Sequence, residues 1–251
     1  MGEGDTSGTV DFGYRRVAAA EKPLLVRRVF QSVSSRYDLM NDLMSGGIHR
    51  LWKAALIDRL TPRPGQVLAD LAGGTGDIAL RFIARAPGSR AIVCDASQAM
   101  VETGRDRAID RGVLGDILWL VGDAEALPLA TMSADACTIA FGLRNVTHIE
   151  RALAEARRIL KPGGRFLCLE FSHVALPLLD RAYALYSFAA LPLLGQIVTG
   201  DRDAYQYLVE SIRRFPAQED LAGLMRAAGF EQVSFRNLSG GIAALHSGWR
   251  L

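Results

Sequence analysis

Residues Leu68–Asp77 read LADLAGGTGD, and the sequence on both sides of them sorts into alternating strand and helix signals. A short apolar strand, Val67–Leu71, turns through Gly73, Gly74 and Gly76 and opens a helix over about 77–86. Glycines at such a turn let the backbone fold back sharply and let a ligand approach it, at the carboxyl edge of a parallel sheet. Working outward, the apolar runs 91–94, 117–121, 136–141 and 165–171 read as further strands, with helices over about 98–111 and 149–160. Lys161-Pro162-Gly163-Gly164 reads as the turn before the fifth strand. Buried strands alternating with helices predict an α/β fold with a doubly wound, mostly parallel sheet. The C-terminus differs: a helix over about 218–228 closes at Gly229, and two strands (231–238 and 242–249) flank Ser239-Gly240-Gly241. Strands so closely joined pair as an antiparallel hairpin, which makes the sheet seven-stranded.

Upstream, residues 23–37 (PLLVRRVFQSVSSRY) place Leu25, Val29, Phe30 and Val33 at helical spacing. A second helix over about 49–60 ends at Thr61-Pro62-Arg63-Pro64-Gly65. The expected organisation is an N-terminal arm and helical cap over 1–60 and a core over 61–251, with a helical insertion at about 174–215. The opening MGEGDTSGTVDFGYRR has no apolar stretch of the secretory kind and reads as a polar, frayed arm.

The 251 residues, 49% of them hydrophobic and 22% charged, carry a formal net charge of +2, which excludes the basic footprint of a nucleic-acid partner. Lys and Arg total 29, yet only Lys22, Lys53 and Lys161 are lysine, as in a GC-rich coding sequence. Cys94, Cys137 and Cys168 are an odd set without C-x-x-C spacing, so neither a disulfide framework nor a zinc site is expected, and a cytoplasmic location is. Residues 182–200 (AYALYSFAALPLLGQIVTG) lack any charge, but Pro192, Gly195 and Gln196 interrupt them. A buried helix or a greasy, membrane-facing groove fits better than a membrane span.

The spacing Gly74-x-Gly76-x-x-Ala79 and Asp95 at the end of the second strand suit either a nicotinamide dinucleotide or S-adenosyl-L-methionine (SAM). Asp77 puts a carboxylate at the helix N-terminus, hostile to a pyrophosphate, and Asp123-Ala124 offers an acceptor for an adenine amino group. Taken singly, Asp77 as a helix cap and Asp123 as a turn residue are equally good readings. Together with the terminal hairpin they favour SAM. A nicotinamide-dependent Rossmann oxidoreductase and a non-catalytic SAM-binding subunit stay open as alternatives.

The run from Phe30 to Lys53, FQSVSSRYDLMNDLMSGGIHRLWK, resembles the opening signature of the ubiquinone/menaquinone biosynthesis C-methyltransferases. The resemblance continues through LADLAGGTGD, GDAEALP, FGLRNVTH, LKPGGRFLCLEFS, Tyr186-Ser187-Phe188, YQYLVESIRRFP and NLSGGIAALHSG. It implies the class I SAM-methyltransferase fold, SAM as methyl donor without a metal, and methylation of a ring carbon of a polyprenylated hydroquinone. It implies cofactor contacts at Gly73, Gly74, Thr75, Gly76, Asp95, Ala96, Asp123, Ala124 and Ala140. Ala140 stands where relatives usually carry serine and Ser97 where they carry Asn, two departures from the family pattern at these contacts. A polyprenyl quinol implies peripheral contact with the inner face of the membrane through about 182–200, and a second copy or a quinone-synthesis complex as partner.

Ring-carbon methylation needs an electron-rich ring, which loss of a phenolic proton provides, and then loss of the proton on the attacked carbon. Arg144 stays protonated and suits phenolate stabilisation and water positioning, with Asn145 orienting the water. Tyr37 and His49, like Asp38 and Asn41, come from the cap; His49 titrates in a range suited to proton transfer. His173 is a further candidate, while His148 and His246 read as surface or structural.

Overall fold

The computed structural model describes residues 8–33, 42, 45–174 and 202–251. The chain opens with β1 (Thr9–Phe12), β2 (Arg15–Ala18), α1 (Lys22–Val33) and α2 (His49–Leu60). Then come β3 (Val67–Leu71), α3 (Asp77–Arg85), β4 (Arg90–Asp95), α4 (Gln98–Asp110) and β5 (Ile117–Val121). They lead to β6 (Ala134–Ala140), α5 (Ile149–Ile159) and β7 (Leu160–Phe171). The C-terminal elements are α6 (Arg202–Arg214), α7 (Gln218–Ala227), β8 (Glu231–Leu238) and β9 (Ala243–Arg250).

Seven strands form one sheet in the order β5-β4-β3-β6-β7-β9-β8. The first five are parallel, and β9 runs antiparallel to both β7 and β8. This is the expected doubly wound sheet with its hairpin edge. Order reverses at β3, between β4 and β6, so a crevice opens where the loops after these strands diverge. Leu68, Leu71, Val93, Ile139, Leu167 and Leu169 are fully buried, which is why these segments read as continuous apolar runs. Helix α2 packs on the sheet through Trp52, Leu56, Ile57 and Leu60.

Two local expectations are corrected. The N-terminal arm is not frayed over 8–19: β1 and β2 pair antiparallel, and Ala19 N–H closes the hairpin on the Gly8 carbonyl at 2.9 Å. Phe12 is buried with its ring stacked 4.2 Å from Tyr207 of α6, and the Tyr14 N–H donates to Glu210. A two-stranded hairpin is marginal by itself, and here it is held by packing on α6. Lys161-Pro162-Gly163-Gly164 lies within β7, where the register against β6 jumps from Ala134↔Leu160 to Ala136↔Arg165. The turn chemistry is therefore spent on a bulge, with Gly163 at φ +79°.

Candidate active site

The crevice is built on backbone that few residues tolerate. Ala72, after β3, has φ +47°, and Phe141, after β6, has φ +59°. For residues with a Cβ this left-handed region costs on the order of 1 kcal/mol or more, and such strain gathers at functional sites. The two loops touch: a Cβ on Gly142 would fall 2.6 Å from the Ala72 Cβ. Gly76 serves packing, since a Cβ there would strike the Trp119 ring at 2.5 Å.

Between these loops lies a solvent-open cleft of about 820 Å³. Of the cofactor residues expected from sequence, Gly74, Asp95, Ala96, Asp123 and Ala124 line it. Gly73, Thr75, Gly76 and Ala140 do not. The Thr75 hydroxyl is buried and accepts a bond from Arg107 at 3.2 Å, and Ala140 sits one residue before the lining pair Phe141-Gly142. Asp95 organises the floor. Its Oδ2 accepts from Gly74 N–H and its Oδ1 from Ser97 N–H, both at 2.8 Å, leaving further lone pairs for a ligand. Burial raises its carboxyl above the ordinary range, against those two N–H bonds. Asp123 is exposed and accepts the Glu125 N–H at 2.9 Å. The opposite wall is the first turn and a half of α1, through Pro23, Val26 and Arg27. Arg27 is the one cation among the described residues lining the cleft, facing a set of three acids, Asp95, Asp123 and Glu125.

Arg144 and Asn145 end a short 3-10 turn, Leu143–Asn145, that follows β6. Asn145 lines the cleft, whereas Arg144 borders a second cavity beneath the N-terminal hairpin. The Arg144 side chain is 1% exposed; its Nη1 meets Glu170 Oε1 at 2.7 Å and donates to the Phe141 carbonyl at 2.6 Å. The left-handed Phe141 thus belongs to a peptide whose carbonyl holds the guanidinium. Nε and Nη2 of Arg144 have no hydrogen-bond partner, two buried donors of the kind that call for a ligand or water. Burial drives the Glu170 carboxyl up, while Arg144 and the N–H groups of Phe171 and Arg144 pull it back.

Tyr37, Asp38 and Asn41, and the uncharged 182–200 stretch, lie outside the described residues. His49 is buried, with Nε2 2.9 Å from Asp42 Oδ1 and Nδ1 without a partner; burial lowers its pKa although Asp42 raises it. It borders neither cavity described above. His173 and His246 bond through Nε2 to the carbonyls of Phe215 and Gln218, both at 2.9 Å, which is structural use. Asp77 does not act as a free carboxylate: Lys53 lies 2.9 Å and Arg81 3.1 Å away, so its repulsion of a pyrophosphate is largely cancelled. That reason for preferring SAM over a dinucleotide therefore carries less weight than the sequence suggested.

Asp70, beneath the glycine loop and outside the cleft lining, is a residue that sequence reading passed over. It lies wholly buried in β3 beneath Gly73, with Oδ1 accepting from Thr138 at 2.7 Å and Oδ2 without a partner. Burial pushes its pKa up to about 7, against Thr138 and Lys53. The signal was present as a lone acid inside an apolar strand directly before the glycines. Among the described residues no three His, Cys, Asp or Glu side chains gather as a metal site, and no helix is long and apolar enough to cross a membrane.

A family model, the ubiE/COQ5 methyltransferase family, matches residues 15–250. The chain is 60% identical over 241 residues to a "Ubiquinone/menaquinone biosynthesis C-methyltransferase UbiE" of Paracoccus denitrificans (strain Pd 1222), covering 96% of each. It is 58% identical over 248 residues to a protein of the same name from Cereibacter sphaeroides (strain ATCC 17029 / ATH 2.4.9), covering 98% of this chain and 99% of the other. A solved SAM-dependent methyltransferase from Thermotoga maritima, 22% identical, superposes with a TM-score of 0.65 over 90% of this chain and 100% of its own. That likeness shows the fold, the class I SAM-methyltransferase architecture.

Proposed function

The chain belongs to the ubiE/COQ5 methyltransferase family, and from that premise we propose that it methylates a ring carbon of a polyprenylated benzoquinol or naphthoquinol in ubiquinone/menaquinone biosynthesis. SAM is the donor and, when bound, supplies the methyl as an electrophile on a sulfonium. What supports the reading is the acid-lined cleft at the sheet's switch point, in a chain close to 60% identical to enzymes of that name. The residues fit such a donor. Asp95 keeps lone pairs for a ribose diol, Asp123-Ala124 stands for the adenine, and Gly74 and Ala96 border the ligand, while Gly73, Thr75, Gly76 and Ala140 shape the loops from behind the lining. Asp70, with one buried oxygen unpartnered, is an acid in want of a cation. Arg27, on the cleft wall, is the cation we assign to the donor's carboxylate.

On the acceptor side, Arg144 offers Nε–H and Nη2–H to a phenolate or to a water beside it. Glu170 and the Phe141 carbonyl fix the other edge of the guanidinium, so little reorganisation accompanies the reaction. Asn145 reaches the cleft from the same turn. Tyr37 is assigned as a catalytic residue of the cap, whereas His49, which borders neither cavity, would need a relay through Asp42 or water to move the ring's proton. For each methyl gained the ring loses one proton, which restores its aromaticity. The same reading has the enzyme work in the cytoplasm at the inner face of the membrane, meeting it through 182–200, as a homodimer or within a quinone-synthesis complex, without a metal or nucleic acid.

Calorimetric titration with SAM tests the donor assignment. The chain should bind it and gain thermal stability with concentration, and Asp95→Ala should weaken binding at least tenfold, by about 1.4 kcal/mol. Absence of binding, or equal affinity in the variant, refutes it.

A further inference from the structure

Tyr207, in the middle of α6, is buried in a place that the cofactor assignment does not use. One face of its ring stacks on Phe12 of the N-terminal hairpin, 4.2 Å between centroids and 20° from parallel. Its hydroxyl reaches across to the turn after β6 and donates to Asn145 Oδ1 at 3.1 Å. Asn145 is half-buried and lines the cleft, and among the described residues its one side-chain hydrogen bond is that with Tyr207.

An amide side chain has two faces of opposite character, and which one meets a ligand depends on what holds the other. With Oδ1 held by a phenol O–H, the NH2 group is the end left for the cleft. We infer that Tyr207 is a positioning residue that locks Asn145 as a hydrogen-bond donor toward the quinol oxygen, the polarity a phenolate-like transition state requires. Without the hydroxyl Oδ1 loses the donor that holds it, and the arrangement with NH2 toward the developing negative charge loses that support. Burial keeps the phenol protonated throughout the working range, with Arg144 opposing and Glu170 adding to the rise, so the lock does not titrate at neutral pH. The Phe12–Tyr207 stack also explains why the hairpin is ordered against α6: it carries the lock from behind.

The assignment rests on the methyl-transfer reading. The test is a double-mutant cycle on the full chain with Tyr207→Phe, Asn145→Ala and both, measuring kcat and KM for a demethyl-quinol, the Kd of SAM and the melting temperature. Phenylalanine keeps the stacked ring. The expected result is a fall in kcat of about tenfold in Tyr207→Phe, with SAM affinity within twofold of the parent. The double variant should be no slower than Asn145→Ala alone, because the lock acts only through that amide. A Tyr207→Phe enzyme with unchanged kcat overturns the assignment. So does a double variant in which the two losses multiply, the result of a tyrosine that merely supports α6. A parent chain that transfers no methyl group overturns the methyl-transfer reading and the assignment with it, whereas an active parent beside an unimpaired Tyr207→Phe overturns the assignment alone.

Discussion

Replacing Asp70 by asparagine should make the unliganded protein more stable at neutral pH and poorer at holding SAM. The side chain is fully buried, one oxygen bonds Thr138 and the other bonds nothing. Burial moves its pKa from 3.8 to about 7. At about 1.4 kcal/mol for each pH unit, keeping this group ionised in the folded chain costs about 4 kcal/mol above neutrality. The native carboxyl holds its proton more tightly than the unfolded one does. Between about pH 4 and pH 7 the folded state therefore carries the extra proton, and stability falls as pH rises through that window. Asparagine keeps the shape and the bond to Thr138 but has nothing to ionise. In urea unfolding, the advantage of Asp70→Asn over the parent should widen by about 2 to 3 kcal/mol from pH 5 to pH 8. Calorimetry on the same samples should show weaker SAM binding, because a neutral amide attracts no cation. A pH-independent difference, or a variant that binds SAM as tightly as the parent, refutes the reasoning.

Glu170→Gln leaves the buried Arg144 guanidinium without its counter-charge, and chemical denaturation should show a loss of about 3 kcal/mol together with slower methyl transfer. Gly76→Ala meets a left-handed φ of +71° and the Trp119 ring together, and should cost about 2 to 4 kcal/mol by the same measurement. Arg27→Gln should weaken binding of S-adenosylhomocysteine severalfold yet leave 5′-methylthioadenosine, which lacks the carboxylate, unaffected. Equal losses for both ligands would show a merely structural residue.

The central sheet was legible because its strands are buried on both faces and punctuated by glycine, so Val67–Leu71 and its neighbours stand out without tertiary information. The hairpin over 9–18 was not, since Thr9–Phe12 and Arg15–Ala18 are short, largely solvated strands whose order comes from Tyr207 and Glu210, far away in sequence. At the site, the identity of Asp95 and Asn145 could be read, but their orientation could not. Local spacing does not say that Thr75 turns to Arg107, that Asp77 is neutralised by Lys53, or that Arg144 faces Glu170 across to β7. Asp70 escaped for a related reason: a strand reading treats an interior acid as a flaw in the pattern, and only its burial shows it as a feature. The wall supplied by α1 is likewise a matter of packing, because amphipathic spacing in 23–37 does not tell which cleft the helix covers.

The most direct measurement is transfer of an isotopically labelled methyl group. The purified full chain is incubated with methyl-labelled SAM and a chemically reduced polyprenyl demethyl-quinol, and the product quinone is analysed by mass spectrometry with fragmentation. The account predicts one labelled methyl on a ring carbon, stoichiometric formation of S-adenosylhomocysteine, and loss of both in Asp95→Ala and Arg144→Leu. Label on a ring oxygen, or a chain that binds SAM and leaves benzoquinol and naphthoquinol acceptors alike unmethylated, would contradict it.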